Sequence, residues 1–285
     1  MKKFSTLIVM ILTVSILSLS CADKKDGYEL ALITDVGNID DRSFNQGAWE
    51  GLKKYAEEKG ITHKYYQPTE KTTDAYVDSI DLSIAAGAKL VVTPGFLFEP
   101  AIYRAQDNHP KINFVLLDGS PQDGNYKDFR IEKNVYSIFY AEEQAGFLAG
   151  YGVVKEGYTN LGVMAGMAVP AVVRFGYGFV QGADYAAKEF GVRNVKVDYN
   201  YIGGFNPSPE TQTKAASWYR NGVQVIFSPA GGAGNSVMSA AEQNNGYVVG
   251  VDVDQSEESP TVITSAMKMI GESVYNAIDD FYNGN

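Results

Sequence analysis

Short apolar, β-branched runs alternate with longer helical patterns along this chain from residue 28 onward. Strand patterns fall at 28–34, 62–66, 89–93 and 112–117, with a longer and less sharply bounded one over 127–139. Helical patterns at 43–59, 72–87 and 98–108 fill the gaps. That order predicts right-handed βαβ units and a parallel sheet covered by helices on both faces. A helix over 140–154 comes next, with Gly146 and Gly150 four apart, so another backbone can approach closely. The pattern then restarts. Strands are expected at 159–164, 195–201, 223–228 and 246–251, and helices at 171–190, 208–220 and 234–244. One more strand, 261–264, precedes a closing helix over 265–282. The reading is an α/β fold of two Rossmann-like lobes joined by a hinge. The N-terminal lobe would run over 28–140, the crossover helix over 141–157 and the C-terminal lobe over 158–255, with a last unit over 256–285.

The carboxyl ends of the predicted strands hold the candidate chemistry, because open α/β sheets bind ligands there. Asp35 ends the first strand, Asp118 the fourth and Asp252 the 246–251 strand, with Asp254 a nearby competitor. The 223–228 strand leads into Pro229-Ala230-Gly231-Gly232, and the 195–201 strand into Gly203-Gly204-Phe205-Asn206. Ionised carboxylates only accept hydrogen bonds, so they suit a pair of vicinal hydroxyls, as on ribose or another sugar. Gly231 allows close backbone approach, but no Gly-Lys-Ser/Thr follows it, which favours an unphosphorylated ligand. Phe44 and Phe205 are placed to clamp a flat ring, Asn45 stands within reach of Asp35, and Lys268 follows the last strand. Ser43 and Gln46 have capping-box spacing at the start of the 43–59 helix. Asp41, in the same loop, is expected to matter little to a ligand.

The amino terminus changes the picture of where this happens. Two lysines, a thirteen-residue, mostly apolar run from Leu7 to Leu19, and Ser20-Cys21 describe a secretion signal over 1–20. That run is too short to span the ~30 Å core of a bilayer as a helix. Cys21 is the only cysteine, so no disulfide is possible, and its position suits lipid attachment to a membrane facing outside the cytoplasm. Ser18 stands where such cleavage sites usually carry leucine. Residues 21–27 read as a tether. Loss of 1–20, with two lysines and no acids, takes the formal charge from −10 to −12. So acidic a chain is no nucleic-acid binder. His63 and His109 are the only histidines, which leaves little material for zinc, Cys–His or Ser–His chemistry. No catalytic residue, metal or cofactor is expected.

Four segments in order carry a resemblance that covers nearly all of the mature chain: DRSFNQGAWEGLKK (41–54), NVYSIFYAEEQAGFLAGY (134–151), RFGYGFVQGA (174–183) and VVGVDVDQS (248–256). The sequence is similar to the basic membrane protein family, lipoprotein receptors that present nucleosides to ABC transporters. That resemblance implies a fold like the type I periplasmic binding proteins, with 256–285 crossing back to the first lobe, and a permease as partner. It also implies that Phe44 and Phe205 sandwich a purine base while Asp35 and Asn45 meet its polar edge. Asp118, Gly231, Asp252 and Lys268 would hold the ribose. Family members usually continue past the closing helix, so a chain stopping at Asn285 is expected to be shortened at its C-terminus. Two alternatives keep the fold and change the ligand, to riboflavin or to a sugar. Another makes the chain a surface lipoprotein with a protein partner. An enzyme alternative rests on TDVGNIDD, which resembles the aspartate cluster of calcium-dependent nucleoside hydrolases. Here one residue is inserted, and Ile33 stands at the leading aspartate's place.

Overall fold

In a computed structural model, which describes residues 27–35 and 37–284, β1 (Leu30–Ile33) is buried on both faces. A strand with no polar position requires that. The expectations for the signal segment, Cys21 and most of the tether lie outside the described residues. After β1 come α1 (Phe44–Lys59), β2 (His63–Tyr66), α2 (Thr73–Ala85), β3 (Leu90–Pro94), α3 (Glu99–Asn108), β4 (Asn113–Leu117) and β5 (Val135–Ile138). They form a parallel sheet of order β2-β1-β3-β4-β5. Leu30, Leu32 and Val92 pack on one face against Leu52 of α1, and Ala31, Ile33 and Val91 pack on the other against Ile80 and Ile102.

Helix α4 (Glu142–Lys155) leads into the second unit. That unit holds β6 (Asn160–Ala165), α5 (Pro170–Phe190), β7 (Lys196–Tyr201), α6 (Pro209–Arg220), β8 (Val225–Phe227), α7 (Gly234–Asn244), β9 (Tyr247–Asp252), β10 (Val262–Met267) and α8 (Ile270–Asn283). Its order is β10-β9-β8-β6-β7, again parallel, so both sheets reverse direction between their first and third strands. Ligands in such sheets sit at the carboxyl ends beside that reversal.

Close approach at the 146/150 glycine pair is present and has a counterpart on α5. A Cβ on Gly146 would lie 2.2 Å from the Phe175 carbonyl oxygen, and one on Gly182 would lie 2.0 Å from that of Phe147. The two helices therefore touch backbone to backbone, which sets the start of α4 beside α5.

Three boundaries differ from the sequence reading. The 127–139 run is a strand only over β5. The closing helix starts at Ile270 instead of 265, because β10 stays in register with β9 as far as Met267 opposite Asp252. The return to the first lobe is accordingly split. β10 completes the second sheet, while α8 crosses over and lays its backbone against Gly51 of α1.

Candidate functional site

Asp35, Phe44, Asn45 and Asp118 from the first lobe line the same cavity as Phe205, Gly231, Asp252 and Lys268 from the second unit, and its volume is ≈ 520 Å³. All eight residues singled out from the sequence thus meet at one gap between the sheets. The size suits a small organic ligand, for which pockets of about 300–1,000 Å³ are usual. Asp254 is exposed and spends its carboxylate on the Ser256 N–H, so Asp252 is the aspartate of that pair facing the gap.

Backbone shape puts the strand-end carboxylates here. Asp118 follows buried β4 and Asp252 is the last residue of buried β9, and both turn into the left-handed region, at φ 55 and φ 69. Aspartate tolerates that conformation better than most residues. Asp118 N–H donates to the Ile138 carbonyl, and the Asp252 carbonyl accepts from Lys268 N–H. Lys268 is thereby pinned at the end of β10, beside the end of β9. A Cβ on Gly231 would come within 3.6 Å of Phe205, whose ring also covers Gly166.

The start of α1 departs from the capping-box reading. Ser43 makes no cap. Its hydroxyl instead crosses the gap and donates to Asp252 Oδ2 at 2.6 Å. Asp41 is the cap, accepting from the N–H groups of Ser43, Asn45 and Gln46 at 2.9–3.1 Å. A cap of this kind contributes about 1 kcal/mol, within ~0.5–2. Asp41→Ala is therefore expected to lower the melting temperature by several degrees, checked by thermal unfolding without ligand. Arg42 adds two further ties between the lobes, an ion pair to Glu258 at 2.5 Å and a carbonyl that accepts from Gln255 Nε2 at 2.7 Å.

Lys268 is not the solvated lysine that its sequence context alone would suggest. Its side chain is 3% exposed, ion-paired with Asp118 and lies 3.1 Å from Glu142 Oε1. The rings of Phe44, Tyr140 and Phe175 surround the ammonium at 4.9, 5.1 and 5.4 Å. Burial alone would pull the Lys268 ammonium down, but Asp118, Asp252 and Glu142 outweigh it and hold it above the ordinary lysine value. Burial pushes Asp118 up to about 6, with Lys268 pulling the other way and Glu142 and Asp252 adding to the rise. Burial likewise raises Asp252 and Asp35. The signs are compatible because the one lysine faces three carboxylates, whereas Asp118 and Asp252 are buried beside other carboxylates; Glu142 is buried too, but Arg174 and Lys268 outweigh that burial and hold it below the ordinary carboxylate value.

Two polar atoms on the cavity wall, Asn45 Oδ1 and Asp118 Oδ1, are buried with no hydrogen-bond partner among the described residues. Both are acceptors, left unpaired and shut off from solvent among the residues of the wall. Among the described residues no group of three or more His, Cys, Asp and Glu side chains is arranged to hold a metal ion. In the TDVGNIDD segment Asp41 is committed to capping α1, and Asp35 Oδ1 accepts from Gly37 N–H and Asn45 Nδ2. The sequence reading missed Ser43, Glu142 and Arg174. Glu142 and Arg174 sit inside two of the segments that carried the resemblance, but nothing in their spacing shows that they pair.

Residues 28–285 match the family described as "ABC transporter substrate-binding protein PnrA-like". The chain is 32% identical over 283 residues to "ABC transporter nucleoside-binding protein BmpA" of Lactococcus lactis subsp. cremoris, covering 91% of this chain and 76% of that one. It is 31% identical to "Basic membrane protein A2" of Borrelia garinii subsp. bavariensis, covering 94% and 78%. Among solved structures, an ABC transporter solute-binding protein from Aeropyrum pernix K1 superposes with a TM-score of 0.78 at 26% identity, over 90% of this chain and 71% of that one.

Proposed function

The chain belongs to the PnrA-like family of ABC transporter substrate-binding proteins, and from that premise we propose that it captures a nucleoside, a purine nucleoside first, and releases it unchanged to a permease. In this reading a lipid on Cys21 holds it at a membrane, outside the cytoplasm. One observation carries the proposal: the cavity brings hydroxyl-accepting carboxylates and a lysine together with phenyl rings from both lobes. Ribose hydroxyls donate to Asp118 and Asp252 and accept from Lys268. Phe44 and Phe205 stack on the base, a contact contributing roughly 1–3 kcal/mol in comparable sites. Asn45 and Asp35 meet the base's polar edge. Several buried carboxylates around one lysine repel a phosphate, so nucleotides are refused.

A thermal-shift panel of nucleosides, free bases, nucleotides, riboflavin and sugars, followed by calorimetry, tests this. Stabilisation by nucleosides alone supports the reading. A shift with riboflavin or a sugar and none with nucleosides would replace it. Free base appearing from inosine in the presence of calcium would turn it into an enzyme.

A pH dependence follows from Asp118. Its carboxyl titrates near 6 in the free protein because burial disfavours the charge. A donated hydroxyl favours the charged form, so binding expels the proton and affinity falls as pH drops through 6. Calorimetry at pH 7.5 and 5 is expected to show about tenfold weaker binding at the lower pH. Equal affinities would mean that Asp118 does not accept from the ligand.

A further inference from the structure

Asp252 ends β9 in the second lobe, yet the hydroxyl it accepts from belongs to the first. Ser43 is fully buried and is not part of the cavity wall, and its hydroxyl donates to Asp252 Oδ2 at 2.6 Å. A serine just before a helix ordinarily spends its side chain on the cap. Asp41 fills that role here, so the Ser43 hydroxyl is left for a partner across the gap.

The backbone around Ser43 is held at every side. Its N–H donates to Asp41 Oδ1 and its carbonyl accepts from Gly47 N–H, both at 2.9 Å. Arg42, just before it, sits at φ 58, a conformation that persists in such a residue only where its surroundings hold it. Gln255 supplies that hold from the second lobe. It is 2% exposed, its Nε2 donates to the Arg42 carbonyl at 2.7 Å, and its Oε1 accepts from Val251 N–H at 2.9 Å. One buried amide therefore ties the residue before Ser43 to the residue before Asp252. A Cβ on Gly47 would lie 3.0 Å from Val253 Cγ1, so α1 also packs tightly on the segment after β9.

The effect shows in the two oxygens of Asp252. Oδ2 is taken by Ser43. Oδ1 accepts no hydrogen bond among the described residues and, unlike Asp118 Oδ1 and Asn45 Oδ1, is not shut off from solvent. It is the oxygen this wall residue leaves to the cavity. The last torsion of an aspartate is broad, so without the hydroxyl the carboxyl group would be free to turn.

We propose that Ser43 is a positioning residue that holds Asp252 by Oδ2 from the opposite lobe and so turns Oδ1 toward the ligand. The ligand half of this rests on the nucleoside reading above; the hold on Asp252 does not. Ser43 also bears on the charge of the carboxyl. Burial raises Asp252, Lys268 and the Ser43 hydroxyl pull it back, and Glu142 adds to the rise. The titratable and charged groups facing it are Asp41 ahead of α1, Asp118 beyond β4, Tyr140 and Glu142 at the start of α4, and Lys268 beyond β10. Removing the hydroxyl leaves these in place and takes away a donor that favours the charged form, so the Asp252 midpoint rises further.

Ser43→Ala tests this, using the full chain with ¹³C-carboxyl labelling. In the ligand-free protein the Asp252 midpoint is expected to move above its wild-type position. At pH 7.5 inosine is expected to bind about tenfold more weakly, because the carboxylate is no longer fixed. A merely structural role would lower stability and leave the midpoint in place. An unchanged midpoint overturns the proposal whether or not a nucleoside binds, and a raised midpoint with unchanged inosine affinity overturns its ligand half. If the wild type binds no nucleoside, the functional reading fails, while the midpoint still decides whether Ser43 holds Asp252. Combined with Asp252→Asn, Ser43→Ala is expected to cost less than about twofold in further affinity, since it acts through that carboxylate; a second tenfold loss overturns the ligand half. Should Ser43→Ala not fold, Ser43→Cys replaces a strong donor by a weak one. It is expected to move the midpoint in the same direction by less, and no movement overturns the proposal.

Discussion

Asp252→Asn is expected to weaken nucleoside binding about ten- to a hundredfold while leaving the unliganded protein at least as stable as wild type. The two halves have one cause. Burial raises the Asp252 carboxyl above the ordinary range, so its ionised form costs the fold free energy at neutral pH. Stability tied to such a group is present at low pH and is lost as pH rises through the folded pKa. An amide removes that cost and keeps the shape. Asparagine also accepts the left-handed backbone at φ 69, where alanine would be strained. Ser43 can still donate to the amide oxygen across the gap, and Lys268 keeps Asp118 and Glu142. The change is thus confined to the charge that a ribose hydroxyl would meet. Calorimetry with inosine and thermal unfolding, both at pH 7.5, read the two halves separately. Wild-type affinity in the variant would remove Asp252 from the site. A loss of affinity that merely follows a loss of folded protein would make it a structural residue.

The strand-end aspartates were legible because parallel sheets force the carboxyl ends of their strands toward one rim, so position along the chain implied position in space. The same logic placed Gly231 and Phe205, which follow β8 and β7. Residues whose role depends on which partner arrives from the other lobe were not legible. Ser43 has the spacing of a cap, yet Arg42 at φ 58 turns the loop so that Asp41 covers the helix start and Ser43 faces Asp252. No local pattern encodes that turn at an arginine. Glu142 is an acidic residue in the first turn of α4, a position that on its own suggests a solvated side chain, but the α4–α5 clamp buries it. The end of β10 was misplaced for a related reason. Ser265, Ala266 and Met267 have no strong preference of their own, and pairing with β9 decides their conformation.

Lys268→Met carries the largest expected loss of stability, and its dependence on pH separates charge from packing. Methionine fills much of the lysine stem's volume among Phe44, Tyr140 and Phe175 but leaves Asp118, Glu142 and Asp252 without their shared cation. Arg174 continues to serve Glu142 from the other side. Breaking a buried pair on one side typically costs about 3–5 kcal/mol, because a charge is left in a dry pocket. Relief comes from proton uptake, since Asp118 already titrates near 6 with the lysine present and must titrate higher without it. For a carboxyl raised in the fold, stability is retained at low pH and lost as pH climbs through the folded value. The gap between variant and wild type should therefore be wide at pH 8 and narrow markedly by pH 5, measured by denaturant unfolding without ligand. If methionine's fit alone were the cause, the gap would be the same at both pH values. A constant gap would show that the lysine is there for shape, and that the three carboxylates do not depend on it for their charge.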